Sequence, residues 1–372
     1  MKKKNFFSRL FFLFSLFFAI ALLLGYSAPY VSPETFWPIA FFGLAVPYLI
    51  VANLFFLVLY AIKGSNKFFF TLIVLGLGYK SIPTLVQFNF QKGENLEKEA
   101  KIKVLSFNVR VFDLYMWSKE KKTRNKIFEF LQREDPDILC MQEFYQRDVQ
   151  DPNYEFKTLD TLIQLLSAKN YHVDYTITLR DNDNWGLITM SKYPIINKGS
   201  VNFNDKSDNS CIYTDLLYGE DTIRVYNAHL ASIKLDKHDY KAIQGVNQNE
   251  YSENLDQEKL IFKKLKQSFQ RRASQADSIK ASLNKSPYPT LFCGDFNDPP
   301  TSYSYHTVKN KMKDAFMQSG KGFGQTYIGD FPSFRIDFIF HDQLFQSRNF
   351  TTHPEELSDH HPISAEVYLM KN

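Results

Sequence analysis

Apolar residues follow two different rhythms along this chain. Up to about residue 90 they run almost unbroken: Leu10 to Ala28, Phe36 to Ile62, and a weaker third stretch from Phe68 to about Phe88 that contains Lys80 and Pro83. A helix of roughly 20 apolar residues matches a hydrocarbon core of ~30 Å, so the first two stretches predict membrane-spanning helices. The third predicts a tilted span with Lys80 snorkelling to the interface, the alternative being a helix that stops short and lies in that interface. A charged stretch, "QKGENLEKEAK", then separates this part from short apolar runs of a soluble kind. Seven of these, "IKVLSFNV", "DPDILCMQEF", "WGLITMS", "TIRVYNAHL", "PTLFCGDF", "RIDFIFH" and "ISAEVYL", have the β-branched and aromatic content of strands. Ile127, Phe128 and Leu131 set a helix over 123–134, and apolar positions at 261, 265, 269, 273, 276, 279 and 283 set a long amphipathic one over 255–283. The chain thus divides into an anchor (1–90), a linker (91–100) and a soluble domain (101–372).

Charge then orients the anchor. Lys2, Lys3, Lys4 and Arg9 precede the first span, the loop from Ala28 to Thr35 has no Lys or Arg, and the next loop has Lys63 and Lys67. Basic loops stay in the cytoplasm. Three crossings therefore put the soluble domain outside a cell (inner) membrane, and two would put it inside; three is the expectation. The net charge of +4 is too mild to mark a nucleic-acid protein. Cys140, Cys211 and Cys293 are odd in number with no CxxC spacing, which suggests small buried hydrophobes rather than a disulfide framework or a zinc site.

Polar groups interrupt the ends of the predicted strands. Asn108 closes the first and Glu143 the second; His229 ends "VYNAH", Asp295 and Asn297 follow "LFCG", Asp337 sits in "RIDFIF", and Asp359 and His360 lie in "LSDHHPI". Singly, each is an ordinary turn or capping residue. Together they resemble a site, since sheet-based α/β folds collect ligands at one end of their strands. Hard oxygen donors such as Asn108 and Glu143 suit Mg2+ or Mn2+. A carboxylate with an amide two residues on, as at Asp295 and Asn297, can orient water and hold a phosphoryl oxygen. The chemistry this collection suits is phosphate-ester hydrolysis.

"LSFNV", "LCMQE", "YNAHLAS", "CGDFND", "RIDFIF" and "SDHHPI", in that order between residues 105 and 363, resemble the endonuclease/exonuclease/phosphatase superfamily of deoxyribonuclease I-like metal-dependent phosphoesterases. The resemblance implies an α/β fold, a four-layer α/β/β/α sandwich of two packed, mostly antiparallel sheets flanked by helices, here preceded by the bundle of transmembrane helices. It implies Asn108 and Glu143 at the metal with Asp359 near it, Asp295 orienting or deprotonating the water, and Asn297 on the phosphoryl oxygen. His360 is then the catalytic imidazole oriented by Asp337, and His229 a second imidazole against the phosphate. His361 is the lesser alternative to His360.

The expected function is that of a membrane-anchored, Mg2+- or Mn2+-dependent phosphoesterase cleaving a phosphodiester by water attack, endonuclease-like. The alternative is a phospholipid or inositol-phosphate head-group enzyme, and a silent membrane scaffold is a remote third. Expected partners are the lipid bilayer and a nucleic-acid or phospholipid substrate, with no protein partner. Arg110, Arg180 and the basic residues of the long helix, Arg272 among them, read as surface charge, and Asp298 as part of a turn. The polar segment 233–254 reads as a loop placed to suit a substrate lid.

Overall fold

The computed structural model describes residues 2–89, 101–118, 122–148, 156–180, 182–203, 205, 207–233, 251–329 and 334–370. The linker and most of the segment 233–254 lie outside them.

Three longer helices lead the chain, α1 (Lys2–Ser27), α2 (Ile39–Ile62) and α3 (Lys67–Leu77), with a single turn at Pro33–Phe36 between the first two. The first two are long and apolar enough to cross a membrane. They pack closely because Gly25 has no side chain; a Cβ there would lie 2.6 Å from Val46. Buried Asn53 adds a polar tie, donating to Phe18 O at 3.1 Å and Leu49 O at 2.8 Å. The third apolar segment departs from the expected single span over 68–88. Its helix has 11 residues, about 16 Å at 1.5 Å per residue, and it ends at Gly78. That glycine packs on the Tyr26 ring, where a Cβ would fall 1.9 Å from Cζ. Pro83 opens a separate short helix, Ile82–Leu85. Even so, α3 begins with Lys67 4.1 Å over the Phe12 ring and finishes beside Tyr26, so it runs back along the second half of α1.

The remainder is two six-stranded sheets packed face to face. The strands are β1 (Lys101–Asn108), β2 (Ile138–Arg147), β3 (Asn170–Leu179), β4 (Asp183–Ser191), β5 (Ile195–Ser200), β6 (Ser210–Tyr218), β7 (Asp221–His229), β8 (Thr290–Asp295), β9 (Lys313–Asp314), β10 (Asp337–His341), β11 (Phe345–Thr352) and β12 (Ile363–Leu369). One sheet runs β9-β10-β8-β7-β6-β5 and the other β11-β12-β1-β2-β4-β3. Only β1–β2 and β7–β8 pair in parallel. Strands whose two faces are both covered read as continuous apolar runs. In β1, Ile102 and Val104 enter the inter-sheet core with Ile138, Val225, Leu291 and Ile339, while Leu105 and Phe107 join the cluster under α4 (Thr123–Glu134) and α5 (Thr158–Leu165). On the far side, α6 (Tyr251–Leu283) and α7 (Tyr303–Lys309) cover Tyr226, Phe292, Phe338 and Phe340. The result is the expected four-layer sandwich.

The helical and sandwich parts touch through residues near 28–43 and 84–89. Thr301 Oγ1 donates to Gly43 O at 2.8 Å, buried Arg335 to Thr84 O at 3.0 Å, and Asn89 Nδ2 to Gly320 O at 2.9 Å. Phe41 stacks on Phe262 of α6 at 5.1 Å.

Candidate active site

Strand register brings the polar strand ends to one rim. His229 and Asp337 are both in register with Asp295, and Asn108 is in register with Gln142, next to Glu143. A bulge between Met141 and Phe144 puts Glu143 at φ 51°. This left-handed kink lets consecutive residues of β2 leave the pleat, and it turns the Glu143 side chain into the rim.

Asn108, which is buried, donates from Nδ2 to Asp295 Oδ2 at 2.9 Å and to Glu143 Oε1 at 3.2 Å. His229 Nε2 lies 3.6 Å from Asp295 Oδ2 and 3.8 Å from Glu143 Oε1, and it is buried without a hydrogen-bond partner among the described residues. His360 stands between two carboxylates, with Nδ1 2.9 Å from Asp337 Oδ2 and Nε2 3.7 Å from Asp295 Oδ2. Asn297, also at positive φ, turns back so that its N–H donates to Asp295 Oδ1 at 2.8 Å and its Nδ2 to Leu230 O at 3.1 Å. Asn108, Glu143, His229, Asp295, Asn297, Asp337 and His360 thus form one contiguous cluster. Asp359 stands apart from it: its carboxylate faces Arg110 Nε at 3.2 Å, and Arg110 N in turn donates to Asn108 Oδ1 at 3.0 Å. His361 points away, its Nδ1 3.3 Å from Glu355 O.

Electrostatics follow from burial. Desolvation opposes charge on His360, but Asp337 and Asp295 outweigh it and hold the imidazole well above its ordinary value. Burial pushes the Asp295 carboxyl up, with His360 pulling the other way.

Which of these groups could hold a divalent cation follows from the same contacts. Asp295, Asp337 and His360 offer ligand atoms within 4.8 Å of one another. Nδ1 of His360 is already bonded to Asp337 at 2.9 Å, so this trio reads as a hydrogen-bonded unit. Asn108 and Glu143 are hard oxygen ligands, and Glu143 is the more open, its side chain 35% exposed. Among the described residues, four carboxylates, Glu143, Asp295, Asp337 and Asp359, face only Arg110 and two imidazoles. That surplus of negative charge fits a bound cation.

Three residues read otherwise from sequence gain definite places. Arg110 is a rim residue, paired with Asp359 and lying 4.2 Å over the Trp117 ring. Arg272 is buried: it donates to Ala231 O at 2.8 Å, and its Nε lies 3.2 Å from Asp298 Oδ2. Asp298, also buried, therefore ties α6 to the turn after β8. Sequence reasoning passed over Asn227, two residues before His229. Wholly buried, it accepts from Gln142 Nε2 at 2.7 Å and donates to Met141 O and Ile188 O at 3.2 and 2.9 Å, bridging the two sheets beneath the site. A polar residue at an inward position of an apolar strand was the available signal.

A family model described as "Endonuclease/Exonuclease/phosphatase family" matches residues 105–360, and one described as a domain of unknown function matches residues 8–85. No curated protein matches the chain. Solved structures with the same fold include an endonuclease/exonuclease/phosphatase from Beutenbergia cavernae DSM 12333, at 15% identity and TM-score 0.50 over 73% of this chain and 72% of that one. A second is an endonuclease/exonuclease/phosphatase family protein from Bacteroides thetaiotaomicron, at 16% identity and TM-score 0.50 over 74% of this chain and all of that one. The mannosyl-6-phosphatase of Bacteroides thetaiotaomicron VPI-5482 matches at 16% identity and TM-score 0.50 over 72% of this chain and 99% of that one.

Proposed function

Because this chain belongs to the endonuclease/exonuclease/phosphatase family, whose members are phosphoesterases, we propose that it is a membrane-anchored, divalent-metal-dependent phosphodiesterase working by water attack. The observation that carries the reading is the convergence of Asn108, Glu143, His229, Asp295 and His360 on one spot of the rim. Asn108 and Glu143 would hold Mg2+ or Mn2+, which supplies positive charge against a phosphoryl oxygen, with Asp359 one step away across Arg110. Asp295, its affinity for protons raised by burial, orients the water and takes its proton. As the new bond to phosphorus forms, the bond to the leaving alcohol breaks. His360, kept protonated by Asp337 and Asp295, and His229, with its unpartnered Nε2, face the extra negative charge of the pentavalent state. Asn297, beside Asp295, would bind a phosphoryl oxygen through its side-chain amide.

In this reading residues 1–90 are the anchor, 91–100 the linker and 101–372 the catalytic unit. The N-terminus is cytoplasmic, the chain crosses three times, and the catalytic unit stands outside. Two sets of contacts support this. Lys63 and Lys67 lie over the rings of Phe11 and Phe12 at the basic end of α1, whereas the sandwich meets the opposite end, around Tyr30 and Gly43. The short α3 runs back along α1 to Tyr26, and the chain reaches Arg335 of the sandwich by Thr84.

The test is hydrolysis of bis(p-nitrophenyl) phosphate by the full chain in detergent with Mg2+ or Mn2+. Activity is expected with either ion and lost in excess chelator; undiminished activity in chelator would refute the reading.

A further inference from the structure

The catalytic rim and the apolar helices share one end of the sandwich. Asp295 closes β8 and Asp337 opens its antiparallel neighbour β10 at the same level. The loops leaving that level carry the contacts to the helices, Thr301 to Gly43 O and Arg335 to Thr84 O. A bilayer around α1 and α2 therefore lies toward the end of the molecule where the cleft opens.

The other half of that rim is built to project apolar side chains. After β1 the chain enters left-handed backbone at Arg110, Val111, Phe112 and Asp113, with φ from 42° to 57°. These conformations are costly for residues with side chains and persist only where packing over-determines them. Here Val111 and Phe112 are buried, with the Phe112 ring 5.6 Å from Phe128 and 5.9 Å from Phe144. The turn so held throws out Tyr115, Met116 and Trp117, which are 57%, 70% and 43% exposed. Large apolar side chains in a row at a cleft mouth mark an interaction surface, and Trp and Tyr favour the head-group layer of a membrane.

The cleft itself carries the same message. A cavity of about 350 Å3 is bordered by Glu143 and His229 at one end and by Val111, Tyr115, Leu179 and Trp185 elsewhere. Among the described residues lining it there is no Lys or Arg, and Asp208 adds a further acidic residue. A single phosphate joined to an apolar body needs polar groups at one end and apolar walls beyond.

We propose that the cleft opens onto the bilayer surface, with Tyr115, Met116 and Trp117 seated in the head-group layer, and that its substrate is a phosphodiester of a membrane lipid. The inference rests on the phosphodiesterase reading above and narrows its substrate.

The experiment reconstitutes the full chain, with Mg2+, in vesicles of phosphatidylcholine and phosphatidylglycerol at 3:1, and follows phospholipid hydrolysis beside that of soluble bis(p-nitrophenyl) phosphate and of a single-stranded DNA. Lipid turnover is expected, and the pair Met116→Ser, Trp117→Ser should reduce it at least tenfold more than turnover of the soluble ester, which also reports that the variant is folded. Brominated phosphatidylcholine should quench the part of the tryptophan fluorescence that Trp117→Phe removes. Cleavage of DNA or of the soluble ester without lipid turnover overturns the inference and leaves the phosphodiesterase reading standing. So does an equal loss on both substrates, or an unquenched Trp117. Hydrolysis of none of the three overturns both.

Discussion

Replacing Asn227 by Leu should loosen the two sheets directly under the catalytic rim. The side chain is wholly buried and makes three hydrogen bonds: one accepted from Gln142 at 2.7 Å, and two donated to the carbonyls of Met141 and Ile188 at 3.2 and 2.9 Å. Each such bond contributes about 1 kcal/mol net, and a carbonyl left short of a donor in the core costs at least that. The loss of all three is therefore about 3 kcal/mol. The added apolar surface of Leu offsets about 1 kcal/mol of this, leaving about 2 kcal/mol. Gln142 keeps Ser106 as a partner at 3.2 Å, which limits the damage on that side. Urea unfolding of the full chain in detergent, followed through Trp185 in a Trp37→Phe, Trp117→Phe background, reads this value; Trp185 packs 5.2 Å from Tyr145 inside the sandwich. A double-mutant cycle with Gln142→Leu should return a coupling of about 1 kcal/mol. Because Glu143 follows Gln142 and His229 lies two residues beyond Asn227, kcat should fall more than KM rises. A midpoint unchanged within error, or strictly additive single substitutions, would show that this network does not hold the sheets in place.

At the rim itself, Glu143→Ala should raise the Mg2+ concentration needed for half-maximal activity, whereas Asp295→Asn and His360→Ala should lower kcat by about 10²–10⁴-fold with unchanged circular dichroism; unfolding of all three would return these residues to structural roles. Asp337→Asn removes a charge that holds the His360 proton affinity up, so the protonated imidazole is lost at lower pH and the alkaline limb of kcat/KM against pH should move down; a limb that stays put or moves up would contradict the pairing. Fused after residue 95, a reporter active only outside the cytoplasm should give signal, and signal from a cytoplasm-only reporter alone would mean that the third apolar segment does not cross.

Much of this protein was legible in its sequence because the deciding physics is local. Apolar runs of about 20 residues need cover from water whatever surrounds them. Strands such as "IKVLSFNV" and "ISAEVYL" announce themselves because both of their faces are buried. The strands that pass less clearly, β3, β5, β6 and β11, carry polar or exposed positions, and what makes them strands is the neighbour they pair with. The polar residues of the site could be collected from strand ends. One carboxylate, amide or imidazole after an apolar run need only cap or turn the chain, but six such strand ends in order place more hard donors than turns and caps require.

Only the tertiary structure decided how those residues stand. The Glu143 bulge, the unpartnered Nε2 of His229 and the two carboxylates around His360 are relations between strands distant in sequence. Arg272 and Asp298 looked solvated because charge on a helix or turn usually is, and they are buried because each satisfies the other. Likewise Lys80 and Pro83 left the third apolar segment ambiguous by composition. Its course was set by Gly78 meeting Tyr26 and by Arg335 reaching Thr84. Hydrophobic rhythm is a property of neighbours along the chain, whereas a site and its orientation toward a bilayer depend on which surfaces the fold brings to the same end.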